Sequence, residues 1–169
     1  MGSQASNQVA DILAAVRKLV RFLRLADREA EAATGLSAAQ LFVLNCLAEQ
    51  PASSLAELAQ RTLTDPSSVS TVVDRLVRRG MVKRVRSRDD LRRQEIRLTP
   101  IGSRVVRLGP RVPQQAIVEG IAALGAGQRG EIMQALDALL VAIGADTTPA
   151  RMLFEDEPPS SRRGRARTA

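Results

Sequence analysis

A mainly α-helical chain with a small β-wing, a winged helix-turn-helix flanked by N- and C-terminal helices, is the class this sequence predicts. Three observations predict it. Between Ser54 and Gly102 the chain spells two short amphipathic helices, a glycine stop and an arginine-loaded hairpin, in that order. Hydrophobic residues make up 44% of the chain but aromatics only 2%, namely Phe22, Phe42 and Phe154. A core built from Leu, Val, Ile and Ala favours packed helices over a β-sandwich. Wide apolar stripes at helical spacing stand before and after the hairpin segment.

Residues 8–33 form the first helical pattern. Val9, Ile12, Leu13, Val16, Val20 and Leu23 follow i, i+3, i+4, i+7 spacing, and Leu19, Phe22 and Leu25 widen the stripe. A stripe that wide implies burial on two sides, one against its own domain and one against a partner. Gly35 stops it. Ser37 with Gln40 caps a second helix whose core face is Leu41, Leu44, Leu47 and Ala48, and Pro51 ends it. Ser54 with Glu57 repeats the capping signature for a short third helix carrying Leu55, Leu58 and Ala59. Asp65-Pro66 starts a fourth, an N-cap carboxylate followed by proline in the first turn, and Gly80 stops it after Arg79.

Met81–Arg86 and Gln94–Leu98 alternate as two antiparallel strands around a polar tip, residues 87–93. Pro100 opens another helix, and Gly109-Pro110 and Pro113 predict a kink or break in it. Ile132, Met133, Leu136, Leu139, Leu140 and Ile143 mark a last amphipathic helix. From Asp146 to Ala169 Pro, Ser, Arg and Gly dominate, and a mostly disordered basic tail is expected, with Met152-Leu153-Phe154 as a stretch able to dock on the body.

The net charge of +7 points to a polyanion partner. Residues 75–97 hold ten basic side chains against Asp89, Asp90 and Glu95, so this one segment carries the excess of the whole chain. A single cysteine, Cys46, rules out an intramolecular disulfide and suits a reducing cytosol. No run approaches the roughly 18 apolar residues of a membrane span. With no histidine, one cysteine expected to be buried, and no carboxylates clustered in an apolar setting, neither a general base nor a metal site is visible. The expectation is a cytoplasmic, nucleoid-associated protein that is not an enzyme and takes no cofactor.

The helix 66–79 buries Val69, Val72, Val73, Leu76 and Val77 on one stripe and turns Ser67, Ser68, Ser70, Thr71, Arg75 and Arg78 outward. A helix entering the major groove needs small hydroxylated residues near its N-terminus, where the backbone approaches base edges and phosphates. Arginines further along hold the flanking backbone. In the hairpin, Arg86, Arg88, Arg92 and Arg93 stand near a tip able to follow a phosphate ridge or enter the minor groove. Asp90 fits a turn-fixing acceptor.

These residues carry a family resemblance. Asp90-Leu91-Arg92-Arg93 followed by Leu98-Thr99 and Gly102 resembles the D-x-R wing and L-T-x-x-G signature of the MarR (multiple antibiotic resistance regulator) family of transcription factors. Asp74-Arg75-Leu76, then Arg79-Gly80-Met81-Val82 and Arg84, resembles that family's recognition-helix end and first wing strand. Leu55-Ala56-Glu57-Leu58-Ala59 resembles its short third helix. The ordered set is specific where each piece alone is weak.

The resemblance implies a triangular homodimer, with residues 8–34 and 100–145 pairing the subunits and 36–99 forming the winged helix. It implies that Ser67, Ser68, Ser70 and Thr71 face the major groove of double-stranded DNA, that Arg88 and Arg92 serve the wing, and that Asp90 braces Arg92 or a neighbour. Half-sites about one DNA turn apart (~34–36 Å) and a pseudo-palindromic site would follow. Leu91 replaces the arginine often found between the family's Asp and Arg, and Pro110 and Pro113 interrupt what is usually a continuous helix.

Family members commonly answer to small aromatic or anionic effectors. Arg17, Arg21 and Arg24 are the candidate anion partners here, with solvation or pairing to Asp27, Glu29 or Glu31 as the alternative. Cys46 does not stand where the peroxide-sensing branch keeps its cysteine, and a buried, inert thiol is expected. The function expected is a sequence-specific, dimeric regulator, a repressor released by a ligand. A non-specific architectural DNA-binding protein is the alternative.

Overall fold

The computed structural model describes residues 2–86 and 94–153. Its elements run α1 (Gly2–Thr34), α2 (Ala38–Glu49), α3 (Leu55–Thr62), α4 (Pro66–Arg78), β1 (Val82–Arg86), β2 (Gln94–Leu98), α5 (Pro100–Leu108), α6 (Pro113–Ala123) and α7 (Ala126–Ala142). The fold is mainly helical with one two-stranded antiparallel sheet, a winged helix-turn-helix between N- and C-terminal helices.

The core lies in the middle of the chain. Leu36, Leu41, Leu44, Leu58, Val69, Val72, Val73 and Leu76 are fully buried, and Val82 and Ile96 bring the sheet into the same cluster. α2 sits at its centre and buries residues around its whole circumference, packing against α3, α4, α5 and β2. Arg61 of α3 donates to the carbonyls of Gln50 and Cys46, tying α3 across the end of α2.

Each short helix of the DNA-binding motif begins at the expected cap. Ser37 accepts from the Gln40 N–H and Ser54 from the Glu57 N–H. The Glu57 carboxylate, however, takes the Ser53 N–H at 2.7 Å, so the box closes one residue earlier than expected. Asp65 caps α4, accepting the N–H groups of Ser67 and Ser68, both at 2.9 Å. The turn between α3 and α4 passes through Leu63, which holds a left-handed φ of 52° with its side chain exposed.

The wing pairs Val82 with Leu98 through Arg86 with Gln94. Ala52 adds a third, one-residue partner: its N–H and C=O both bond Ile96, at 3.0 and 2.7 Å. A single bridging residue leaves no alternation in the sequence to detect.

The proline-rich stretch breaks the C-terminal arm. α5 ends at Leu108 and α6 begins at Pro113. A second break, at Leu124-Gly125, separates α6 from α7; the Gln128 side chain caps it by accepting the Gly125 N–H at 3.1 Å. α1 starts at Gly2, ahead of the residue expected from its apolar spacing. Among the described residues, no helix is long and apolar enough to cross a membrane and no cluster suits a metal ion.

The first turn of α5 presses on the end of α4. Thr99 donates its N–H to the Met81 carbonyl at 3.0 Å and its hydroxyl to the Gly80 carbonyl at 2.7 Å. A Cβ on Gly102 would stand 2.2 Å from the Met81 oxygen. That contact is with backbone and has no rotamer escape. Gly102→Ala is expected to destabilise the fold by about 1–3 kcal/mol, the usual range for overpacking a tight site. Thermal unfolding followed by circular dichroism checks this: a melting temperature equal to that of the unchanged chain would refute it.

Candidate nucleic-acid interface

α4 sorts its residues as its spacing predicts, with one exception. Val69, Val72, Val73 and Leu76 are buried. Ser67, Asp74 and Arg78 are exposed, and Ser70, Thr71 and Arg75 are half-buried around them, so one polar face runs the length of the helix. Ser68 departs from expectation. It is 2% exposed, and its hydroxyl donates to Asp65 at 2.6 Å. At this position the helix rotates Ser68 toward the core side, so it serves the cap and has no outer surface to offer.

The Ser67 hydroxyl also donates to Asp65. These hydroxyls, first Ser67 and then Ser68, with the backbone N–H groups, hold the Asp65 carboxyl well below the usual carboxylate range. The cap therefore stays ionised far into acid. Thr71 donates to the Ser67 carbonyl at 3.1 Å, a bond within its own helix. Ser70 is the hydroxyl of this face that points into a concavity, a groove it shares with Ser53, Ser54, Asp74, Arg84 and Gln94.

Asp74 is the member of this face that sequence reasoning left out of the site. It accepts from Arg84 of β1 at 2.6 Å. The pair links α4 to the wing and neutralises the one carboxylate on the face. Its signal in the sequence was a D-R pair ten residues apart, readable only once the strand is known to fold back over the helix.

On the wing, Lys83 faces Arg97 directly across the ladder, a like-charge pairing that destabilises a sheet unless an anion relieves it. Arg97 shares its charge with Glu95, 2.5 Å away. Arg78, Lys83 and Arg86 have no ion-pair partner among the described residues. Arg88, Asp90, Arg92 and Arg93 lie outside the described residues.

Arg79 donates to the Gly35 carbonyl at 2.6 Å, across 44 residues, and so ties the end of α4 to the elbow between α1 and α2. Asp27 of α1 grips the other side of that elbow, accepting the Ala38 N–H at 2.8 Å. Asp27 is thereby engaged with backbone and, among the described residues, forms no pair with the neighbouring arginines. Arg17, Arg21 and Arg24 line one shallow groove on α1 with Val16, Val20 and Arg28. They make no ion pair among the described residues.

Cys46 is buried in α2 and 7% exposed. Burial, with the Glu49 charge adding to it, pushes its thiol up to about 11. At pH 8 roughly one thiol in a thousand would be ionised, and the thiolate is the reactive form. Native protein is expected to resist iodoacetamide at pH 8 and to react once unfolded in urea. The raised value also sets a sign for stability. The folded state holds this proton more tightly, so the contribution is full below pH 9 and is lost as pH rises toward 11. Rapid native alkylation at pH 8 would contradict the buried thiol.

Comparison with known proteins agrees with this geometry. Residues 34–93 match the model of the MarR family, which bears out the resemblance carried by the motifs. No curated protein matches the chain by sequence. Among solved structures, a MepR-like protein complexed with pseudoligands is 25% identical with a TM-score of 0.53, over 80% of this chain and 95% of that one. A probable transcriptional regulator from Pseudomonas aeruginosa is 27% identical with a TM-score of 0.52, over 80% of this chain and 98% of that one. Streptococcus pneumoniae FabT, solved in complex with DNA, shares the fold at 18% identity and a TM-score of 0.51, over 82% of this chain and 97% of that one.

Proposed function

We propose that this chain, whose residues 34–93 carry the MarR-family pattern, is a homodimeric transcription regulator that binds double-stranded DNA in a sequence-specific way. The observation that carries the reading is the outer face of α4. It is polar from end to end and its one carboxylate is neutralised by Arg84. Beside it stand Arg78, Lys83 and Arg86, cations with no ion-pair partner among the described residues. Such a face pairs short hydroxyl side chains for base edges with cations for phosphates. In this reading Ser67, Ser70 and Thr71 approach the major groove, Arg75 and Arg78 hold the flanking backbone, and Arg86 with Arg88, Arg92 and Arg93 forms the basic wing. Asp90 braces the wing's arginines.

The dimer is supported by what a single chain leaves uncovered. Ile12, Leu13, Val16, Leu19, Val20 and Phe22 of α1 are exposed, as are Ile132, Met133, Leu136, Leu139 and Leu140 of α7. Contiguous apolar faces of this kind mark an interface, and a second copy covers both helices at once. Sedimentation equilibrium is expected to give about 36 kDa, twice the 18.2 kDa chain. Leu136→Asp is expected to shift it toward monomer. A monomer at all concentrations for the unchanged chain would refute the dimer.

The regulator is read as a repressor released by a small aromatic or anionic effector, with Arg17, Arg21 and Arg24 as its anion partners. Affinity measured against salt, on DNA from upstream of its own coding region and on a scrambled duplex, tests the central reading. Tight binding to the first over the second is expected. Equal, salt-sensitive binding to both would favour a non-specific architectural protein, and no binding at low salt would refute DNA binding.

The roles within the face also separate by experiment. Arg92→Ala is expected to weaken binding to every sequence and to reduce the salt slope by about 1, the loss of one phosphate contact. Ser70→Ala is expected to shift base preference in a randomised-site selection while leaving non-specific affinity in place. Identical profiles for the two variants would refute the division.

A further inference from the structure

The chain beyond α7 returns to the body. Met152 is 3% exposed, within the hydrophobic core. Two residues before it, Ala150 shares a groove with Ala59, Leu63, Asp65 and Pro66, at the turn between α3 and α4. Pro66 is the first residue of α4, and Asp65 is its cap. The C-terminal segment is therefore anchored beside the N-terminal end of the helix proposed for the major groove.

Residues 154–169, beyond this anchor, lie outside the described residues, and their sequence is the relevant fact. Glu155-Asp156-Glu157 is followed by Pro158-Pro159-Ser160-Ser161 and then by Arg162-Arg163-Gly164-Arg165-Ala166-Arg167. Four guanidinium groups fall within six residues with no acid among them. Like charges at that density repel unless an anion stands between them. The acidic block is set apart from them by two prolines, a composition typical of semi-rigid spacers. The chain length from Met152 to Arg162 permits a reach of up to about 35 Å. That is several times the ~12 Å width of a major groove.

We propose that Arg162, Arg163, Arg165 and Arg167 form a second DNA contact. They grip phosphates next to the half-site read by α4, and the buried Met152 fixes where the segment starts. Guanidinium forks match phosphate oxygens in bidentate geometry, so the contact adds affinity without reading bases. The inference rests on the DNA-binding reading of α4.

The test compares the unchanged full chain with a variant carrying Arg162→Ala, Arg163→Ala, Arg165→Ala and Arg167→Ala. The probes are the upstream fragment and its scrambled duplex, titrated across salt. At about 0.9 per phosphate neutralised, the slope of log affinity against log salt is expected to become shallower by about two to four. Affinity is expected to fall at least about tenfold on both duplexes alike, as sequence-independent phosphate contacts require. An unchanged slope and affinity would overturn the tail contact while leaving the role of α4 intact. Failure of the unchanged chain to bind either duplex would instead overturn the DNA reading itself, and this inference with it.

A second measurement tests the placement. Cys46 is buried, so Arg165→Cys introduces the one reactive thiol of the native chain. An iron chelate attached there is expected to cut DNA in a patch flanking the bound half-site. Cuts spread evenly along the duplex would overturn the anchoring by Met152.

Discussion

The outer face of α4 can be placed on a partner only as accurately as the helix's own carboxyl end is fixed, and the backbone of Arg79-Gly80-Met81 is where the fold fixes it. The last turn closes as a Schellman motif: Gly80 N–H bonds Val77 and Met81 N–H bonds Leu76, at 2.9 and 3.0 Å. Gly80 adopts a φ of +68°, a conformation that other residues enter only with strain. The carbonyls then exposed are taken from outside the helix. Thr99 occupies those of Gly80 and Met81, while Gly102 lets the α5 backbone come close. Arg79 reaches the other way, to the elbow after α1. Three elements distant in sequence meet at one helix end.

This arrangement joins the two functional halves of the molecule. α1 and α5 lead to the apolar arms, and both attach at the same end of α4. A rotation of either arm therefore acts on the end of α4 remote from Asp65. The opposite end is held by its own cap, a local device that needs no arm. The helix is thus fastened locally at its N-terminus and to the arms at its C-terminus, a geometry in which arm movement changes helix angle more than helix position.

Much of this was legible in the chain because the signals were local. Caps at Ser37, Ser54 and Asp65, the stop at Gly80 and the alternation in both strands each depend on a few neighbouring residues, and each element appears where those residues put it. What escaped was set by tertiary contact. Ala52 joins the sheet through one residue, and no pattern marks a one-residue strand. Ser68 reads as outward on a helical wheel drawn from its neighbours, yet the capping carboxylate draws its hydroxyl inward. Asp74 reads as a stray acid on a basic face until β1 folds over it and brings Arg84 within 2.6 Å. The break at Leu124-Gly125 has no proline to announce it; glycine and a side-chain cap suffice.

The distribution of apolar surface then argues for how the halves divide the work. The core is complete around α2, α3, α4 and the sheet without help from α7, which buries none of its residues within one chain. The winged helix has what it needs to hold its own shape, so the arms are free to spend their apolar faces on a second copy. Because each arm is fastened to α4 through Gly35 or Thr99, pairing the arms fixes two α4 helices relative to each other. Any influence on the packing of the arms, including an anion seated among Arg17, Arg21 and Arg24, is transmitted through those same two attachments to the separation of the two outer faces. A rigid reading module joined to adjustable arms by a small number of directed hydrogen bonds couples dimer geometry to DNA geometry without requiring the module itself to unfold or repack.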